Sequence, residues 1–213
     1  MIDPETANFN FELMQKRSKI TKKAQIHAAM KHLPVTFYCF DILRHNQRDL
    51  RGLPLIKRKS IQESVFTSNH SFSAVTYVEE RGNDLYQIIC DRKMEGIVAK
   101  NMNSMYLSNR SNAWQKIINW TYEDIYITGY RKNDFGWLAS VPMDNGEFRP
   151  VGIIELGVKP KSRMAFYSMK DSLKLSEDQD HVYLQPLLKA RVKIVNWTGN
   201  GMLRSPVFVE FIK

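Results

Sequence analysis

The sequence is poor in the features that mark secreted, metal-stabilised or membrane-spanning proteins. Its two cysteines, Cys39 and Cys90, form neither a CxxC pair nor a metal-type spacing. No apolar run approaches the roughly 20 residues that cross a bilayer. The opening residues, MIDPETANF, lack the basic and apolar parts of a signal peptide. We therefore expect reduced thiols, no membrane partner and a cytoplasmic location.

Acidic residues are also scarce, and between Leu13 and Leu33 there are none. The whole chain has 31 Lys and Arg against 22 Asp and Glu, a net charge of +9 that favours a polyanionic partner, nucleic acid before an anionic membrane. The acid-free segment has helical apolar spacing and predicts a basic helix that ends before Pro34. It contains the candidate DNA-phosphate contacts Lys16, Arg17, Lys19, Lys22 and Lys23. A solvated helix face is the plain alternative.

The 213 residues, 43% hydrophobic and 25% charged, are sufficient for two small globular domains, with a boundary expected near Thr121. Before it, the patterns predict a core strand over Val35–Leu43, a helix starting at Pro54, a strand at AVTYVEE, a helix at RGNDLYQIICDRKM, and strands at EGIVAK and AWQKIINW. After it, five or six short strands with one helical insert between the third and fourth predict a small β-barrel of the OB type.

Three short stretches combine apolar strands with polar residues. In KMEGIVAK, alternation puts Glu95 and Lys100 on opposite faces, unless Gly96 permits a bulge or a close backbone approach. In FYCFDIL, Asp41 must be paired, near a metal or at the strand mouth, because an unpaired buried carboxylate costs several kcal/mol. Solvated strand ends and a capped strand are the structural alternatives.

In the third stretch, AWQKIINW, alternation puts Trp114, Lys116 and Ile118 on one face. A lysine between a large ring and an aliphatic side chain is a suitable point charge for phosphate.

The order of these motifs, ahead of a closing GNGMLRSPVFVEF, resembles that of the ATP-dependent DNA ligases. The resemblance is to the small bacterial and phage type, related to the ligase module of bacterial end-joining enzymes, and it covers essentially the whole chain. It implies an α+β protein, with an incomplete nucleotidyltransferase (ATP-grasp-like) adenylation domain over residues 1–120 and an OB-fold β-barrel over residues 121–213. It also implies ATP and Mg²⁺ (or Mn²⁺) as cofactors and nicked double-stranded DNA as substrate, with an association with the nucleoid.

The resemblance also implies roles for individual residues. Phe40 corresponds to the aromatic residue that stacks on adenine, and Glu95 to the carboxylate associated with the metal and the reacting phosphate. Lys116 matches the lysine that contacts the α-phosphate, so Glu95 and Lys116 are the candidate catalytic residues. Arg204 resembles the basic residue that reaches the leaving pyrophosphate. Lys100 completes the candidate nucleotide-binding set, although its facing is left open.

Two features depart from the family pattern. Upstream of Phe37 there is neither the KxDG motif that supplies the family's nucleophilic lysine nor the DGE carboxylate, and Ile118 stands where the second motif lysine belongs. We therefore expect a fragment that does not adenylate itself. Its first domain should expose an apolar edge and be poorly stable alone. We expect a monomer, with association through that edge as the alternative.

Two other functions fit parts of the sequence. A non-catalytic OB-fold protein could bind nucleic acid through its barrel and its basic helix. An RNA ligase or capping-type nucleotidyltransferase would share the same motifs, although RSPVF favours DNA. The sequence does not distinguish roles in replication, repair, recombination or a phage cycle.

Overall fold

The computed structural model describes residues 10–212, and the chain divides between Ile118 and Asn119 into two compact units. The first unit contains, in chain order, α1 (Phe11–Ser18), α2 (Lys23–His32), β1 (Phe37–Cys39), β2 (Arg44–His45), β3 (Arg48–Asp49), α3 (Leu55–Val65), β4 (Phe72–Ala74), α4 (Gly82–Asp91), β5 (Gly96–Lys100) and β6 (Trp114–Ile118).

The acid-free segment forms two helices, so the expectation of one basic helix was wrong. Helix α1 begins at Asn10, whose Oδ1 accepts a hydrogen bond from the Leu13 N–H at 3.0 Å, as an N-cap does. The break between the helices contains Ile20 and Thr21, whose β-branched side chains lose rotamer freedom in a helix. Helix α2 ends at His32, two residues before Pro34.

The strands of the first unit pair only two by two in the described part of the chain. β1 and β4 are parallel, β2 and β3 form a hairpin, and β5 and β6 are antiparallel. The core strand predicted over Val35–Leu43 is reduced to the three residues of β1, and Phe37 is 62% exposed. With a single partner strand, β1 has little surface to bury against, which explains why this prediction was wrong. The strand predicted at AVTYVEE is likewise reduced to β4, which ends at Ala74.

The second unit contains β7 (Thr121–Arg131), β8 (Trp137–Pro142), β9 (Phe148–Ile154), α5 (Pro160–Met169), β10 (Lys174–Glu177), β11 (His181–Ile194) and β12 (Val207–Phe211). One sheet joins its strands in the order β10-β11-β7-β8-β9, and β12 pairs with β11. Helix α5 lies between the third and fourth strands of this unit, as predicted.

The sheet of the second unit is open in the described residues, whereas a closed barrel was expected. A single isolated parallel bridge, Leu156 to Val207, links the chain after β9 to β12. The predicted strands HVYLQP and ARVKIVNWT form one long strand, β11, with a register shift between Tyr183 and Leu188. A bulge of this kind lets one strand bend and serve two neighbours.

Most of the buried apolar side chains lie in the second unit. Their centre is Trp137, whose ring centroid is 4.7 Å from that of Phe166 on α5 and 5.3 Å from that of Phe208 on β12. Among the described residues of the first unit, the buried apolar ones are Ala29, Leu50 and Leu55. The two units therefore differ sharply in the apolar burial that stabilises them. None of the helices in residues 10–212 has both the length and the apolar character needed to cross a bilayer.

Candidate functional site

A buried ion pair joins the end of β1 to helix α3. Arg58 Nε and Nη2 each lie 2.9 Å from a different carboxylate oxygen of Asp41, and the two side chains are 0% and 3% exposed. Arg58 Nη1 also donates to the carbonyl oxygens of Leu53 and Ser104. Of the environments expected for Asp41, the structure thus shows the paired one. The pair fixes the chain immediately after Phe40.

Helix α3 begins after Pro54 as predicted, but apart from Leu55 its buried side chains are polar. Arg58, Lys59 and Gln62 are buried, whereas the apolar Val65 is 45% exposed. Gln62 Nε2 donates to the Cys39 carbonyl oxygen at 2.9 Å, and this bond ties α3 to β1. Apolar periodicity did not reveal this face. The helix thus places the Arg58 guanidinium against Asp41, the residue after the candidate adenine-binding residue Phe40, and Lys59 over the ring of Tyr77.

Lys100 lies against two aromatic rings. Its Nζ is 3.8 Å from the centroid of the Trp114 ring and 4.7 Å from that of Phe40. The two rings meet edge to face, with centroids 6.2 Å apart. Burial lowers the pKa of Lys100 to about 8, with the positive charges of Lys59 and Arg58 acting in the same direction and Asp41 opposing them. The sequence left open the direction in which the Lys100 side chain points, and in the structure it points toward these rings.

The register of β5 and β6 explains why these side chains meet. Lys100 pairs with Trp114, Val98 with Lys116, and Gly96 with Ile118. Directly paired residues and those two apart share one face of a sheet. Lys100, Trp114 and Lys116 therefore lie on the same face, and Val98, which is 50% exposed, lies between the two lysines. Sequence reasoning did not single out Val98.

Gly96 provides the close backbone approach that its position next to Glu95 predicted. Its φ is 144°, and a Cβ atom there would collide with the Ile117 carbonyl oxygen and lie 2.9 Å from the Ile118 Cα. Glu95 precedes the first residue of β5 and is exposed. Between residues 10 and 212 there is no group of three or more His, Cys, Asp or Glu side chains able to hold a metal ion.

Trp114 also lines a shallow cleft that the sequence did not reveal. Its ring meets the ring of Tyr106 edge to face, with centroids 5.8 Å apart. The volume of the cleft is about 340 Å³. Its walls are formed by Trp114 at the start of β6 and by residues of the loop before it: Met105, Tyr106, Leu107, Asn109, Arg110 and Ser111. The Tyr106 N–H donates to the Arg51 carbonyl oxygen at 2.9 Å, which anchors the loop.

The candidate DNA contacts lie along α1, the turn after it and the start of α2. Lys16, Lys19, Lys22 and Lys23 are exposed, whereas Arg17 is partly buried. The Nε atom of Arg17 is buried without a hydrogen-bond partner among the described residues. The structure therefore keeps four cations of this group accessible to an anionic ligand.

Arg204 lies in the second unit, in the segment between β11 and β12. Its backbone N–H donates to the Asn196 carbonyl oxygen at 3.0 Å, and its Nη1 lies 3.4 Å from Asn196 Oδ1. In the first unit Lys100 thus contacts the ring of Phe40 and shares a sheet face with Lys116, whereas Arg204 lies in the unit that follows.

Comparison with known proteins gives matches to ligases. The family model described as "ATP dependent DNA ligase domain" matches residues 1–117. The SPbeta prophage-derived DNA ligase-like protein LigB of Bacillus subtilis is 31% identical over 173 residues, which are 80% of this chain and 61% of that protein. The bifunctional non-homologous end joining protein LigD of Bacillus subtilis is 25% identical over 213 residues, 95% of this chain and 34% of that protein.

Among solved structures, a Lig E DNA ligase has a similar fold. Its TM-score is 0.61 at 16% sequence identity, and the match covers 93% of this chain and 72% of that one. The present chain spans about three fifths of the LigB-like protein and about a third of LigD.

Proposed function

Since the chain belongs to the ATP-dependent DNA ligase family, we propose that it binds ATP on the first unit and contributes to the sealing of nicked double-stranded DNA. The observation that carries this proposal is the shared face of β5 and β6. This face carries both Lys116 and Lys100, and Lys100 lies over the exposed aromatic ring of Phe40. An aromatic ring for a base, next to two cations for phosphates, is the arrangement that a nucleotide requires.

We assign the first unit to an incomplete adenylation domain of the nucleotidyltransferase type and the second to an OB-fold domain. The exposed rings of Phe37 and Phe72 on β1 and β4 support the first assignment, because a complete domain would cover them. The position of α5 between the third and fourth strands supports the second assignment. The bridge from Leu156, just after β9, to Val207 in β12 also supports it, because pairing of these two strands is what would close the sheet into a barrel.

The charges of the site suit phosphoryl transfer, which depends on charge neutralisation more than on acid-base groups. In our proposal adenine stacks on Phe40, Lys116 contacts the α-phosphate and Lys100 a neighbouring phosphate. Arg204 of the second unit is a further candidate phosphate contact. Mg²⁺ supplies further positive charge when bound. The exposed carboxylate of Glu95 is a suitable oxygen ligand for it, with nucleotide phosphates providing others, as Mg²⁺ sites commonly use one or two carboxylates.

The 213 residues contain no KxDG motif, so we propose that this polypeptide by itself binds ATP reversibly and forms no covalent lysine-AMP. Incubation with Mg²⁺ and α-labelled ATP should give binding by equilibrium dialysis and no labelled band after denaturation. A labelled band would refute the second part. The absence of saturable ATP binding would refute the first. Tighter binding of GTP than of ATP would instead indicate a capping-type enzyme.

The nicked DNA substrate follows from the same proposal. The exposed lysines of α1 and α2 provide phosphate contacts independent of sequence. A nicked duplex with AMP already on its 5′-phosphate should be bound more tightly than the same duplex without a nick. Equal affinity for the two duplexes would contradict a role in nick recognition.

A non-catalytic nucleic-acid-binding protein is the second candidate. The observation in its favour is that the second unit holds most of the buried apolar core, while the first holds little. Such a protein would bind nucleic acid through the second unit and the basic helices, without regard to nicks or to ATP. Salt-dependent DNA binding that ATP and a nick leave unchanged would support it.

A further inference from the structure

The ammonium group of Lys100 occupies the space in which a base would stack. A stacked aromatic group lies about 3.5 to 4 Å from the ring beneath it, the optimal separation of non-bonded carbon atoms. Lys100 Nζ is 3.8 Å from the Trp114 ring centroid and 4.7 Å from that of Phe40. A base on the same side of either ring would overlap the lysine. Base and ammonium therefore compete for these ring faces.

Lys100 is held there without a carboxylate of its own. The charged groups near it are Lys59 and Arg58 from α3 and Asp41 from the end of β1. Arg58 already pairs with both carboxylate oxygens of Asp41. No ion pair joins Lys100 to an acidic side chain anywhere in residues 10–212. Ring contacts thus hold a partly desolvated cation that an anionic ligand would attract strongly.

We propose that Lys100 is a specificity-determining residue that makes this site select phosphorylated nucleotides over free nucleosides. A nucleoside must displace the ammonium from the rings and offers it no negative charge in return. A nucleotide displaces the same ammonium but provides phosphate oxygens that it can contact in its new position. The inference rests on the proposed function, because it requires that the base stacks on Phe40.

Substitution of Lys100 separates this role from that of an ordinary phosphate contact. Lys100→Met keeps the length of the side chain and removes its charge. We expect adenosine affinity to rise about fivefold, because a neutral side chain is held over the rings less strongly than an ammonium and a base displaces it more easily, and ATP affinity to fall about tenfold. Lys116→Met is the matched control, since Lys116 shares the face but does not lie over either ring. Lys116→Met should lower the affinity for ATP and leave the affinity for adenosine unchanged. Lys100→Arg should keep both affinities within about twofold of the original.

The pH dependence of the unmodified protein tests the same proposal without relying on the folding of a variant. Because the pKa of Lys100 is about 8, raising the pH from about 7 to about 9 discharges its ammonium. Adenosine affinity should then rise and ATP affinity should fall. This dependence of the two affinities on pH should disappear in Lys100→Met and persist in Lys116→Met.

Calorimetric titration with adenosine and with ATP distinguishes the outcomes. If ATP binds but Lys100→Met leaves adenosine unchanged or weakens it, Lys100 has no selective role and this inference is overturned, while the proposed function stands. If the unmodified protein binds neither compound, both are overturned. Opposite changes in the two affinities support the inference.

Discussion

Arg58 and Asp41 form a bidentate ion pair that is almost fully buried, with both donor–acceptor distances at 2.9 Å. Removing one member leaves the other charge buried without a partner. We expect Arg58→Met to destabilise the first unit by about 3 to 5 kcal/mol, measured by urea denaturation. Arg51→Met is the control, because the pair of Arg51 with Asp49 is half exposed. Arg51→Met should have a urea midpoint close to that of the original protein. Equal losses of stability in the two variants would contradict the importance of the buried pair.

Gly96 gives a second test, because its backbone conformation and its surroundings both exclude a side chain. Gly96→Ala places a Cβ against the carbonyl oxygen of Ile117 and keeps a residue at a φ of 144° that L-amino acids avoid. We expect a loss of about 1 to 3 kcal/mol in stability and weaker ATP binding, since β5 and β6 must shift apart. Gly52→Ala, where no atom lies within 4 Å of the added Cβ, should leave both unchanged.

Stacking of adenine on Phe40 predicts a selective loss of nucleotide affinity. A base stacked on an aromatic side chain contributes about 1 to 3 kcal/mol, so Phe40→Leu should lower ATP affinity about tenfold or more. Phe37→Leu is the matched control, because Phe37 is similarly exposed but contacts the ring of Phe72 instead. Calorimetry should show no effect of Phe37→Leu on ATP binding. A comparable loss in both variants would indicate a general effect on β1.

The unequal cores of the two units predict unequal stabilities. Hydrogen exchange followed by mass spectrometry should show slow exchange in β7, β8 and β11 and faster exchange in β1, β4 and α4, because few apolar side chains cover the first unit. ATP should slow exchange in the first unit only, by binding its folded state. Uniform protection in both units would contradict the assignment of the first unit as an incomplete domain.

The basic helices predict the salt dependence of DNA binding. Replacing Lys19, Lys22 and Lys23 with alanine should lower the magnitude of the slope of log K against log salt by up to about 0.9 per lost phosphate contact. The control triple Lys57, Lys93 and Lys161, also exposed, should retain the original slope. Equal reductions in both triples would show that net charge, and not the helices, determines binding.

The sequence predicted local features well where one residue type imposes a geometry. Pro54 marks the start of α3, Pro34 follows the end of α2, and Gly96 allows the approach of β6. It also predicted the common face of Trp114, Lys116 and Ile118, because alternation in a strand needs no knowledge of its surroundings.

Features that depend on distant parts of the chain were not predictable in this way. The polar buried face of α3 arises because Asp41, 17 positions earlier, accepts two bonds from Arg58. The position of Lys100 depends on Phe40 and Trp114 together, and alternation within β5 alone left it open. The exposure of β1 follows from its pairing with β4 alone in the described residues, which its apolar sequence does not reveal.

Photo-crosslinking with an azido derivative of ATP, followed by peptide mass spectrometry, tests the central claim most directly. The claim is that Phe40 and the shared face of β5 and β6 form the nucleotide site. We expect saturable labelling within residues 37–43 and 96–118, abolished by excess ATP. Labelling that excess ATP does not reduce, or that lies only in the second unit, would contradict it.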